Sequence, residues 1–97
     1  HPLYYYMLAQ YLRGITFYFI RTNQPDSALH YARQAEDIAP RSNSFVLEFS
    51  AHRVSGAAYA LAGEKQLAEV YFNKALAMKK IVKSNAELLR FSYEYIP

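Results

Sequence analysis

The sequence predicts an all-α domain of antiparallel helical hairpins, and three observations carry that prediction. Apolar residues recur at helical spacing along the whole chain, with no sustained period-2 alternation and no Asn-Gly or Asp-Gly turn. Helix-stopping residues fall in short clusters, so consecutive helices must reverse direction within a few residues. The chain also resembles itself at an offset of 40 residues.

The first helix is expected over about 3–22. Its core, LYYYMLAQYLRGITFYFI (Leu3 to Ile20), is apolar enough to require a membrane check. A spanning helix wants about 20 predominantly apolar residues with charges kept from the middle. Here Gln10, Arg13 and Gly14 sit at the centre, and Tyr4, Tyr5, Tyr6, Tyr11 and Tyr18 are scattered around it. The segment therefore reads as a packed helix with aromatics on several faces, not as a membrane insertion.

Thr22-Asn23-Gln24-Pro25 ends that helix and begins the next, over about 25–39. Asn suits the left-handed position after a helix, and Pro suits the first helical turn. Pro40 disfavours helix at Ala39, and the cluster Ser42-Asn43-Ser44 supplies an N-cap for a third helix over about 44–62. Gly63 separates it from a fourth over about 64–80. Ser84-Asn85-Ala86-Glu87 has the S-x-x-E form of a capping box and predicts a fifth helix over about 85–95. No Pro or Gly marks that last break, so the fourth helix retains the option of running on into the fifth.

Setting ALHYARQAEDIAP (Ala28 to Pro40) beside AEVYFNKALAMKK (Ala68 to Lys80) puts Ala28 on Ala68, Tyr31 on Tyr71, Ala32 on Phe72, Ala35 on Ala75 and Ile38 on Met78. Carried back, the offset sets Leu12, Ile15, Thr16 and Phe19 on His52, Ser55, Gly56 and Tyr59. Carried forward, it sets Ser44 on Ser84. In this arrangement the chain resembles the tetratricopeptide repeat family. That family's first helix has a large apolar residue, then Leu-Gly, then an aromatic; its second has Ala, an aromatic, Ala and a closing Pro. One unit carries Leu12, Ile15, Phe19, Ala28, Ala35 and Pro40, and the other carries Gly56, Tyr59, Ala68, Phe72 and Ala75. The pattern is departed from by Thr16 for Gly, Ala32 for the aromatic, His52 for the large apolar residue, Ser55 for Leu and Lys80 for Pro. The internal spacing is the family's, with Asn43 to Glu48 lengthening the second unit's first helix. Lengthened repeats of this kind are similar to those of bacterial regulatory and sensor proteins.

The resemblance implies hairpins stacked as a right-handed α-solenoid, with one repeat over about 9–42, a second over about 43–82 and an additional capping helix over about 84–96. Gly56 and the alanines at 28, 35, 68 and 75 are small because helix backbones approach closely there, and Phe19, Tyr59 and Phe72 fill the spaces between.

Composition narrows the function. The chain has 97 residues, 53% apolar and 20% charged, which is the composition of one small globular domain. It has no cysteine, which removes disulfides and thiolate metal sites. Its net charge of +3 hints at acidic partners and is too small for a nucleic-acid tail. The opening His-Pro, with no initiator Met and no signal peptide, predicts a piece of a longer protein and leaves cytoplasm and periplasm equally open.

Chemistry-bearing patterns are missing. His1, His30 and His52 form no H-x-x-x-H or H-E-x-x-H motif, and no serine sits in G-x-S-x-G. Glu48 and His52 share a helix face, which suits a surface hydrogen bond. Glu36-Asp37, near a helix C-terminus, reads as solvated surface. The expectation is a non-enzyme without metal or cofactor.

Repeat arrays of this family hold peptides on the face formed by their first helices. The resemblance places Gln10, Arg13, Phe17, Ile20, Arg21, Ser50, Arg53 and Ala57 there, with Arg90 extending the row. Stacked arginines suit an acidic peptide, since each guanidinium donates two parallel hydrogen bonds to a carboxylate. The Lys and Asn positions of the family's chaperone-tail clamp hold Phe17, Val54 and Glu94, so that ligand is not expected. The expected function is protein or peptide interaction. The alternative is a regulatory module of a bacterial signalling or transcription-regulating protein, working through helix packing or oligomerisation. Open repeat ends point to cover by a further repeat or by a second copy in a homo-oligomer. Aromatics beside basic residues raise single-stranded nucleic acid as a minor third reading.

Overall fold

The computed structural model describes the backbone of residues 2–95 and the side chains of residues 3–81. The chain is all-helical over the described residues: α1 (Pro2–Arg21), α2 (Pro25–Ile38), a 3-10 turn (Ala39–Ser42), α3 (Phe45–Leu61) and α4 (Lys65–Tyr95). α1 packs on α2 and α3, and α3 packs in turn on α2 and α4. None of these helices is long and apolar enough to cross a membrane.

The turns are made by the residues that can make them. Asn23 ends α1 at φ 57°, and the Gln24 and Asn23 amides donate back to Phe19 O and Ile20 O at 2.9 and 3.1 Å. The same cap recurs 40 residues on, with Gly63 at φ 82° and the Glu64 and Gly63 amides donating to Tyr59 O and Ala60 O at 2.8 and 3.1 Å. Both are paired closures around a left-handed residue, which satisfy carbonyls that a helix end otherwise leaves bare. Pro25 then occupies the first turn of α2, where its missing N–H costs nothing.

Pro40 does not halt the chain at Ala39. It tightens the last turn into the 3-10 segment, which ends at Asn43 with φ 53°. Ser42 Oγ donates to Ala39 O at 2.6 Å, and Ser44 Oγ accepts the Leu47 amide at 3.2 Å, capping α3.

The separate fifth helix over about 85–95 is not formed. α4 runs unbroken from Lys65 to Tyr95 and takes in the segment read as a capping helix. With no Pro or Gly in that stretch nothing forces a stop, and Ser or Asn inside a helix costs only about 0.5 kcal/mol relative to Ala. The S-x-x-E side chains at 84–87 lie outside the described side chains.

The core is made of small groups. Ala28, Ala32, Ala35 and Ala39 on one side meet Ala51 and Ala58 of α3, with Leu12 among them. The largest fully buried side chains are Thr16 and Ser55. Thr16 satisfies its hydroxyl within α1 by donating to Leu12 O at 2.6 Å. Larger rings close the flanks of each hairpin. Phe19 stacks on Tyr31 with centroids 5.5 Å apart, and Tyr59 stacks on Tyr71 at 5.3 Å. These two pairs occupy equivalent positions in the 40-residue register.

Phe72 departs from the expected interior knob. It is 44% exposed and lies across Gly56, where an added Cβ would come within 2.6 Å of its ring. Gly14 is different in kind. It is exposed inside α1, its backbone is not left-handed, and an added Cβ would meet nothing within 4 Å.

The two glycines should therefore respond oppositely to alanine. Gly14→Ala is expected to raise stability by about 0.5–1 kcal/mol through helix propensity alone. Gly56→Ala, which must displace the Phe72 ring, is expected to lower it by about 1–2 kcal/mol. Urea unfolding at low protein concentration reads both, and equal signs would refute this account.

Candidate functional site

The face between α1 and α3 holds an open groove of about 520 Å³. Such a volume falls within the range of sites that hold small molecules or peptide side chains. Arg13, Gly14, Phe17 and Ile20 of α1 form one wall, and Ser50, Arg53, Val54 and Ala57 of α3 form the other. Phe72 reaches in from α4. A second, shallower depression of about 390 Å³ continues past Arg53 and Phe72 to Phe49, Leu76 and Lys79.

The walls are assembled by helical periodicity. Arg13, Phe17 and Ile20 stand three and four residues apart on α1, as do Ser50, Arg53, Val54 and Ala57 on α3. Because α1 packs on α3, the two stripes face a common space. The groove floor is apolar, and its charged residues, Arg13 and Arg53 with Lys79 beyond, are all cationic. No Asp or Glu lines either depression among the described residues. Two of the nearby guanidiniums are steadied by rings one turn away. Arg53 lies 5.8 Å from the Phe49 centroid and Arg21 lies 5.6 Å from that of Phe17. Such contacts hold a cation in place while leaving its N–H donors free for an anion.

Of the residues expected at the groove, Arg13, Phe17, Ile20, Ser50, Arg53 and Ala57 gather there. Gln10 and Arg21 do not line it. Gln10 is exposed and its Nε2 lies 3.5 Å from the Tyr6 hydroxyl, while Arg21 lies against Phe17 at the end of α1. The side chain of Arg90 is outside the described residues. Gly14 and Phe72 line the groove and were not expected there; Val54, which stands at a position of the family's chaperone-tail clamp, lines it too. Gly14 and Val54 are equivalent in the 40-residue register and follow Arg13 and Arg53 directly, so the register itself held that signal.

A second polar constellation lies between α2 and α3. His52 Nδ1 stands 2.9 and 3.0 Å from the two carboxylate oxygens of Glu36, and Ser55 Oγ donates to Glu36 Oε1 at 2.8 Å. An ionised carboxylate only accepts, so Nδ1 carries a proton in this contact. This corrects the reading of Glu36 as solvated surface. Its partners are 16 and 19 residues away on the next helix, and it satisfies a fully buried hydroxyl. It also redirects His52, which pairs with Glu36 and not with Glu48. The serine proton points at the carboxylate and not at the imidazole, so the three groups form a structural bridge. No group of three His, Cys, Asp or Glu suited to a metal ion occurs among the described residues.

Next to this bridge, burial raises the Tyr71 phenol above its ordinary value near 10, and the neighbouring Tyr59 and Glu36 add to the effect. Lys74 Nζ lies 4.7 Å from the ring centroid.

Compared with protein-family models, with curated proteins and with solved structures, the chain matches none of them.

Two outcomes follow. Glu36→Ala strands Ser55 and His52 and should cost about 2 kcal/mol, whereas Asp37→Ala, one residue on and exposed, should change stability by less than about 0.5 kcal/mol. Equal effects in chemical denaturation would refute the bridge. The folded chain holds the Tyr71 proton more tightly than the unfolded chain. That contribution is therefore full below the unfolded value near pH 10 and is lost as pH rises through the higher folded one. Tyr71→Phe should flatten the alkaline limb of the stability–pH curve, and an unaltered limb would assign it to other groups.

Proposed function

We propose that the chain is a tetratricopeptide-like interaction module whose α1/α3 groove holds an acidic peptide carrying apolar side chains. The single observation that carries this reading is the groove wall itself. Two register-equivalent arginines, Arg13 and Arg53, flank an apolar floor formed by Phe17, Ile20, Val54, Ala57 and Phe72. The floor favours burial of one or two apolar anchors, and the arginines favour carboxylates beside them, with no opposing negative charge among the lining residues. The recurrence of the helix cap and of the aromatic stack at the same offset supports the repeat reading.

Apart from Ile20, which also packs against the cluster of Ala28, Ala32 and Ala58, the groove's side chains stand outside the core clusters. The buried alanines of α2 and the buried residues of α3 lie on other faces, so substituting Arg13 or Arg53 leaves the packing intact.

Titration with peptides that alternate Asp or Glu with Leu or Phe tests this reading. Arg13→Glu with Arg53→Glu is expected to weaken binding about tenfold to a hundredfold while the helical circular dichroism is kept. Affinity unchanged by the double reversal would sink the groove. A single-stranded oligonucleotide serves as the contrasting ligand: tighter binding to it, falling steeply with salt, would replace the peptide reading.

A further inference from the structure

α1 exposes a second face, next to the groove wall, that shares only Gly14 with the groove. Tyr4, Met7, Tyr11, Gly14 and Tyr18 recur at alternating spacings of three and four, the period of a helix–helix seam, and Arg21 continues it. The large members of this row are exposed: Tyr4 by 61%, Met7 by 61%, Tyr11 by 59% and Tyr18 by 57%. The same face of α3 shows what such a row does in this chain. In the 40-residue register Met7, Tyr11 and Tyr18 correspond to Leu47, Ala51 and Ala58, all buried; Ala51 packs with Ala35 and Ala39, and Ala58 with Ala28 and Ala32. At these three positions the face is buried on α3 and open on α1, while Gly14 and its equivalent Val54 stand at the groove edge.

Gly14 supplies an independent indication. A glycine inside an exposed helix is a destabilising choice, and here neither its backbone conformation nor any neighbour within the chain requires it. The remaining use of a missing Cβ is close approach by something outside the chain.

We infer that this face docks the α1 of a second copy, antiparallel, about a two-fold axis midway between Leu12 and Arg13. The row is complementary to itself in that direction. Tyr11 of each copy meets Gly14 of the other and enters the space left by its missing side chain. Met7 meets the second copy's Tyr18, a favourable sulfur–aromatic pairing. Tyr4 meets the second copy's Arg21, whose guanidinium already lies 5.6 Å from Phe17 and would be held between two rings. The parallel arrangement lacks these matches: it sets Gly14 on Gly14 and Arg21 on Arg21. Pro2–Arg21 contains no Asp or Glu to offset that repulsion. The antiparallel arrangement keeps Arg21 of one copy about 25 Å along the axis from Arg21 of the other.

The area sets the strength. With 57–61% of their surface exposed, three tyrosines and a methionine offer roughly 400–600 Å² per copy. Both copies together offer about 800–1,200 Å², at or just below the lower edge of specific interfaces, which start at about 1,200 Å². The dimer is accordingly weak, with a dissociation constant on the order of 10–100 μM.

Sedimentation equilibrium of the 97-residue chain from about 1 to 500 μM should show reversible dimerisation in that range. Tyr11→Arg and Gly14→Leu should each weaken it at least about tenfold. Both positions are exposed, and circular dichroism checks that the helices persist. Gly14→Ala should separate the two roles of the position, raising the melting temperature at high dilution while weakening the dimer. The native chain has no cysteine, so direction can be read by crosslinking. A Met7→Cys chain mixed with a Tyr18→Cys chain should form the mixed disulfide in preference to either homodimer. A monomer throughout the concentration range, as expected if another segment or protein covers α1, would overturn the inference. So would a Tyr11→Arg chain that dimerises like the native one, or homotypic crosslinks that outrun the mixed one.

Discussion

The close approach of helix backbones across a plane of alanines is the constraint on which the rest of the structure depends. Ala28, Ala32 and Ala35 of α2 and Ala51 and Ala58 of α3 are all buried where the helices meet. Alanine gains little by burial, so cohesion comes from dense atomic contact and from the aromatic stacks that close each hairpin. Closeness also explains the polar bridge. Ser55 is fully buried at this plane, and the carboxylate of Glu36, with His52 beside it, reaches across from the neighbouring helix to satisfy it. Leu12, Leu47 and Tyr59 are buried, while many of the other large side chains lie outward at the groove and on the free faces of α1 and α4.

Much of this plane was legible in the chain because alanine spacing and helix stops are local signals. Asn23, Pro25, Gly63 and Ser44 perform the capping roles their chemistry predicts, and the alanines at 28, 35, 68 and 75 are buried. The misplaced break near Ser84 has a plain cause. The S-x-x-E pattern marks a helix start only where something has ended the previous helix, and α4 contains no such residue. Glu36 was misread because its neighbour Asp37 is exposed and its partners lie on another helix. Sequence shows that Glu36 borders the alanine face, but only packing shows what stands opposite.

The groove was legible to the extent that it follows register. Arg13 with Arg53 and Phe17 with Ala57 pair off at the offset that aligns the helices, and both pairs line it. Gln10 and Arg21 miss because the groove spans only the part of α1 that faces α3. Phe72 reads as an interior knob because it stands at the aromatic position of the repeat pattern, and its equivalent Ala32 is buried. The equivalence holds for the backbone and fails for the side chain, because a phenyl ring does not fit where a methyl does.

That last pair has a consequence for how such a chain can change over generations. Where one unit holds Thr16 and Ala32, the other holds Gly56 and Phe72, the ring lying on the bare glycine backbone. The bulkier residue stands on the first helix in one unit and on the second helix in the other. The two solutions are connected only by an ordered path: Phe72 must shrink before position 56 can grow, and the reverse order passes through a clash. Mutational effects at 56 and 72 are thus epistatic with a fixed sign. Sequences drifting between the two arrangements would show an intermediate with Gly and Ala together, and not one with Thr and Phe.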